Sequence, residues 1–398
     1  MTCFARTAAA GFAATIAVLL AGCGGGGQSA TPAGPTAASE GKQLSPSAMV
    51  ATPTPSPTPS PTLYVSGTDR VNAFPLTASG NTLPDRTIFP HPNQTDGITG
   101  IATATDFTLD ILQDYRNPSN APDCRVVQEY PNTNGVGPKK NQLECNTNPI
   151  PGTIPAVRGR GIARGTSGEI DILDTLSPQG GPQTGDYVQR TNFSASPPYN
   201  TGYIGVLPGA AGTHHGIAEG VGGHIFISSS SAGDPIVYAG SASTTGCSPS
   251  ATGAATIDNY APGAVNPSGP LHTFTIVGRT AAGAVALGPD NATLYVATCD
   301  LNGLLFVDAV TTPGASGPRN PTQSLGPFTN YDVTALAVDA AGNLYVGLTA
   351  NDGSGTNHVR VYAMNAGSGK PPPLRILDNP VPPGTNHRIT GLAISPGS

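Results

Sequence analysis

Short apolar runs with alternating polarity, each broken by Gly, Pro, Asn or Asp, fill the chain from about residue 62 onward. None sustains the spacing of an amphipathic helix, so the pattern predicts strands joined by tight turns. One run recurs six times: Ile98–Thr103 (ITGIAT), Gly159–Arg164 (GRGIAR), His214–Glu219 (HHGIAE), Ala282–Leu287 (AGAVAL), Val333–Val338 (VTALAV) and Ile389–Ile394 (ITGLAI). Its small residues at alternate positions suit a strand crowded from both sides. Each run leads through a turn into a second β-rich run: Phe107–Leu112, Glu169–Leu173, His224–Ser228, Thr293–Ala297 and Asn343–Gly347. Pro289 to Asn291 and Asp339 to Asn343 have the composition of the hairpin turns between the two.

The sixth copy breaks this order. Ile389–Ile394 has no second run after it, whereas Leu63–Ser66 has the character of a second run with no first run before it. Strands from the two ends of such a chain complete one unit, and six units then close into a ring. The expected fold is all-β, a six-bladed β-propeller over residues 62–398 sealed by N- and C-terminal strands. A further register agrees: Arg70–Ala73 matches Arg360–Ala363 as third strands, each followed by a Gly-containing loop and Pro-x-Arg (Pro84 to Arg86, Pro373 to Arg375). The repeat from Val333 to Gly347 resembles the NHL-repeat propellers, whose blades carry Gly-Ile-Ala-x-Asp followed by Gly-Asn-Leu-Tyr-Val. That resemblance implies a fold and says little of function, because such rings carry unrelated sites.

The N-terminal region is of a different kind. Arg6 precedes an apolar stretch, Ala8 to Leu20, that is too short for a stable membrane span and is expected to be a secretory signal. It ends in Leu20-Ala21-Gly22-Cys23, which resembles the lipobox of bacterial lipoproteins. The resemblance implies cleavage after residue 22, acylation of Cys23 and attachment to a membrane. Gly24 follows, not the Asp associated with inner-membrane retention, so the outer membrane is favoured. After Cys23, up to residue 61, the chain is mostly Gly, Ala, Ser, Thr and Pro with almost no large apolar side chain. It is expected to be a disordered, partly extended stalk.

Charged residues make up only 11% of the chain, the net charge is −6, and no Lys/Arg run occurs. A nucleic-acid partner is therefore not expected. The absence of Trp counts against a dedicated sugar-stacking surface. An exported chain oxidises its thiols. Cys124 is expected to pair with Cys145, both in the long polar insertion of the second repeat, a loop closure worth about 3 kcal/mol. That leaves Cys247 with Cys299, joining adjacent blades.

Loops leading into innermost strands meet at one mouth of a propeller's channel. Here they carry Asp96, Arg158 and Arg160, then His214 and His215, and finally Asp332, His387 and Arg388. This is the default ligand site, with Arg160 paired to Asp332 or Glu219 as the bland alternative. At the position of His215 the other repeats have Thr99, Arg160, Gly283, Thr334 and Thr390, too few imidazoles for a metal centre. No cofactor is expected. The reading is an envelope lipoprotein whose ring binds a protein or small-molecule ligand. The alternative is a metal-assisted lyase or lactonase centred on His215, by similarity to enzyme propellers whose histidines converge on a metal. Gly367 to Lys370 has a phosphate-loop look but is followed by Pro371, and is expected to be a hairpin loop.

Overall fold

In the computed structural model, residues 60–90, 97–104, 107–115, 124–131, 138, 140–145, 156–165, 168–176, 185–195, 200–205, 207–208, 213–220, 222–230, 247, 253–265, 269–312, 314–382 and 388–395 are described. The expected signal segment, Cys23 and all but the last two residues of the stalk lie outside them. The described residues form six sheets, antiparallel apart from one added edge strand, and no helix. Blade 1 is Gly391–Ile394, Thr62–Ser66, Val71–Pro75 and Arg86–Ile88, from the channel outward. Blade 2 is Ile98–Thr103, Leu109–Tyr115, Cys124–Tyr130 and Lys140–Cys145. Blade 3 is Ala156–Arg164, Ile170–Leu176, Gly185–Thr191 and Asn200–Ile204. Blade 4 is His214–Glu219, Ile225–Ser230, Ala255–Tyr260 and His272–Ile276. Blade 5 is Arg279–Leu287, Thr293–Asp300, Leu305–Thr311 and Gln323–Leu325. Blade 6 is Tyr331–Val338, Leu344–Ala350, Asn357–Tyr362 and Arg375–Asp378. The innermost strands contact one another in sequence around the ring, and that of blade 6 meets Gly391–Ile394. The fold is a six-bladed β-propeller.

Closure is as expected. Leu63, Tyr64, Val65 and Ser66 pair with Ile394, Ala393, Leu392 and Gly391. The ladder is pinned at both ends, where Thr390 N donates to Ser66 O at 2.9 Å and Ser395 N donates to Thr62 O at 2.9 Å. Turn chemistry also follows the residues. Asn291 takes positive φ (52°) in the blade 5 hairpin, and Asp339 Oδ1 accepts the Asn343 amide at 2.8 Å in that of blade 6.

The small residues of the innermost strands are there because adjacent blades touch. A Cβ on Gly216 would lie 2.6 Å from Gly283 O of blade 5, and one on Gly161 would lie 3.0 Å from the Ile217 side chain of blade 4. The buried apolar side chains separate into six clusters, one at each interface between neighbouring blades. They are unequal. The blade 5–6 cluster has sixteen buried residues, whereas the blade 2–3 cluster has seven, and that thinner seam carries buried ion pairs instead.

The rim has a device that the repeat pattern did not reveal. The loop between third and fourth strands of one blade pairs in parallel with the outer strand of the preceding blade. Gly317–Arg319 of the blade 5 loop adds a fifth strand to blade 4, with Val277 N donating to Arg319 O at 2.9 Å. Gly369 of the blade 6 loop bridges Leu325, and Gly80 of the blade 1 loop bridges Leu377. Exposed sheet edges invite pairing with other chains, and these straps occupy them. Gly367 to Lys370 is thus a loop, and its Gly369 serves as a strap.

Cys247 and Cys299 form the expected inter-blade disulfide. Cys124 and Cys145 stand directly opposite each other in the register of blade 2.

Candidate functional site

Each innermost strand begins at the same mouth of the channel, here the inlet, and those of blades 2 to 6 have a β-bulge near their start. The register skips one residue in four blades: Thr99 between Ile98 and Gly100, Arg160 between Gly159 and Gly161, His215 between His214 and Gly216, and Thr334 between Val333 and Ala335. In blade 5 the skip covers Gly283 and Ala284. Thr390 holds the corresponding place before Gly391 in blade 1. A bulge takes a residue out of the alternating ladder and re-aims its side chain. Thr99, Thr334 and Thr390 keep partial exposure while the residues on either side are buried. Blades cover both faces of an innermost strand, so that exposure is to the channel. The six positions are the ones aligned by sequence; the bulge that five of them share is new.

The expected site residues fall into two groups. In the first, Asp186 of blade 3 organises the start of blade 4. Its Oδ2 accepts the backbone N–H groups of Thr213 and His214, both at 3.1 Å, and His214 Nδ1 at 2.9 Å. A carboxylate only accepts, so His214 Nδ1 is the donor of that bond. Arg160 Nε lies 3.9 Å from Asp186 Oδ1. His215 sits beside Arg160, and burial, followed by the Arg160 and His214 charges, pulls its pKa down to about 3 against a smaller opposing effect of Asp186. His215 is therefore a neutral imidazole at physiological pH.

In the second group, between blades 6 and 1, Arg388 donates to Asp332 Oδ2 at 2.8 Å. Burial raises the Asp332 pKa and Arg388 opposes the rise. The two groups lie half a ring apart. Arg160 accordingly pairs with Asp186, which corrects its expected pairing with Asp332 or Glu219. Asp96 and His387 lie outside the described residues, and Arg158 is placed by its backbone, opposite Thr175. Asp186 was missed; the available signal was a carboxylate at the head of the buried strand GDYVQRT. Among the described residues no three His, Cys, Asp or Glu side chains gather in a metal-holding arrangement. The bulge ring supplies one imidazole.

At the opposite mouth, the residue after the Gly-Ile-Ala run reaches back to the preceding blade. Arg164 of blade 3 donates to Asp110 at 2.5 Å and Glu129 at 3.2 Å, both in blade 2. Glu219 of blade 4 meets Asp171, which Arg190 Nε contacts at 2.9 Å, with Glu169 Oε2 3.3 Å from Arg190 Nε. Desolvation first, then the Asp171 charge, raises the Glu219 pKa from 4.5 to about 8, so Glu219 holds a proton and shares it with Asp171. The folded state then binds more protons than the unfolded chain between those values. This contribution to stability is complete below about pH 4.5, declines as pH rises and is gone above about pH 8. Urea midpoints measured from pH 5 to 9 should fall more steeply with rising pH for the wild type than for Glu219→Gln, which keeps a donor but does not titrate. Parallel profiles would refute the shared proton.

No protein-family model and no curated protein matches the chain. Among solved structures it is similar to a protein of unknown function from Bacteroides caccae, with a TM-score of 0.50 at 10% identity over 85% of this chain and 99% of that one. A gluconolactonase from Xanthomonas campestris aligns with a TM-score of 0.41 at 14% identity over 86% and 90% of the two chains. TolB from Acinetobacter baumannii aligns with a TM-score of 0.49 at 9% identity over 84% and 66%. At these identities the likeness concerns fold alone.

Proposed function

We propose that this protein is a lipid-anchored component of the cell envelope, with the outer membrane favoured, and that its propeller is a binding module taking its ligand at the inlet mouth. The observation that carries the binding reading is the bulge ring. The backbone device repeats in five blades while the presented residue changes from Thr to Arg, His or Gly. A fixed frame with varied side chains is how a rigid scaffold acquires a specific site. The address rests on the Leu20-Ala21-Gly22-Cys23 motif and the stalk after it.

Two measurements test this. Cys23→Ser should block incorporation of a fatty-acid analogue and move the protein from the membrane to the soluble fraction without changing its melting temperature; unchanged partitioning would mean another anchor. Wild-type protein extracted from envelopes, then denatured and analysed by mass spectrometry, should release a compound that Arg160→Ala does not retain. His358→Ala, which removes a contact of His358 with Asp378 in the outer strands of blade 6, should retain it. Stoichiometric metal lost on His215→Ala would instead favour the lyase or lactonase alternative.

A further inference from the structure

Thr99, Arg160 and His215 belong to blades 2, 3 and 4, which are consecutive in the ring. We infer that this arc of the bulge ring is a binding site for a single carboxylate group. The inference rests on the reading that ligand binds at the inlet mouth, and it names the ligand's chemistry.

Charge is the first argument. Of the six aligned positions only Arg160 is charged, so the ring presents one cation and no carboxylate of its own. Asp186 Oδ1 lies 3.9 Å from the guanidinium. A single cation suits a monoanion better than a phosphate dianion. The planar guanidinium also matches a carboxylate in a two-pronged geometry that imidazole or ammonium does not offer.

The neighbours supply the second argument. His215 is held neutral by burial and by Arg160 itself, so it brings polar ring nitrogens without a second positive charge. On the other side, Thr99 Oγ1 is buried and has no hydrogen-bond partner. The hydroxyls at the same place in blades 6 and 1 are used within the protein: Thr334 donates to Gly347 O at 3.4 Å and Thr390 to Gly67 O at 3.1 Å. A buried hydroxyl without a partner is costly. Leaving it so beside the ring's cation fits a donor kept for a ligand oxygen. Asp186 gives the arc rigidity by tying down the Thr213 and His214 amides immediately before the bulge.

Saturation-transfer NMR on the full chain in detergent tests this with acetate and acetamide, which share a methyl group but differ in charge. Acetate should receive saturation and acetamide little. Arg160→Ala should weaken acetate binding roughly tenfold to a hundredfold, the range for losing a charged hydrogen-bond partner, and Arg160→Lys should recover only part. Thr99→Val is the gentler variant and should weaken binding several-fold with the melting temperature unchanged. Equal signals from acetate and acetamide, full binding by both variants, or displacement of acetate by far lower concentrations of inorganic phosphate would each overturn the carboxylate assignment. If acetate fails while Arg160→Ala still strips a compound from the envelope-derived protein, the binding function stands and only the ligand class falls.

Discussion

Removal of residues 389–398 should abolish cooperative unfolding and send most of the protein to the insoluble fraction. The deletion takes away the innermost strand of blade 1, which pairs with Thr62–Ser66 over four residues. It also removes Ile389 and Leu392, buried in the cluster between blades 6 and 1. Each large-to-small loss of that kind costs about 2–5 kcal/mol, and a whole strand exceeds the 5–15 kcal/mol by which ordinary domains are stable. The gap leaves unpaired backbone on Thr62–Ser66, an edge open to aggregation. Limited proteolysis and denaturant melts of wild-type and shortened chains measure the effect. A shortened chain with the wild-type midpoint would refute closure as the source of stability.

Arg125→Met should destabilise the fold by about 3–5 kcal/mol, the range for breaking a buried ion pair from one side. Arg125 is fully buried in blade 2; its Nε lies 2.9 Å from Asp174 of blade 3, and its guanidinium also donates to Gln189. Methionine replaces the volume but leaves Asp174 buried without the Arg125 counter-charge. The double variant Arg125→Met, Asp174→Leu should regain most of the loss, because burying two apolar groups in place of an ion pair is often neutral or better. Urea denaturation of the single and double variants reads this directly. A single variant as stable as the wild type, or a double variant no better than the single, would show that the pair does not hold the seam between blades 2 and 3.

That seam shows why charged positions were hard to place from sequence. Asp110 and Asp171 occupy the second-strand position that Tyr64, Phe226, Tyr295 and Tyr345 hold in other blades. The difference is visible in an alignment of the repeats. The partners Arg164 and Glu219 are not, because they come from the next blade around the ring. The same holds for Asp186 and His214, 28 residues apart and on different blades.

The blade repeat, the hairpin turns, the ring closure and the Cys247–Cys299 bridge were all legible in the sequence. Strand alternation and Asn, Asp or Gly turns act over a few neighbouring residues, and a strand missing at one end of the repeats implies its counterpart at the other. Tertiary structure alone decided which ionisable groups meet, because those contacts cross between blades and depend on how far each strand is advanced against its neighbour. It also decided that the residues at one aligned position leave the ladder in five of the six blades. A bulge is a one-residue mismatch between two paired strands, and neither strand states that mismatch by itself.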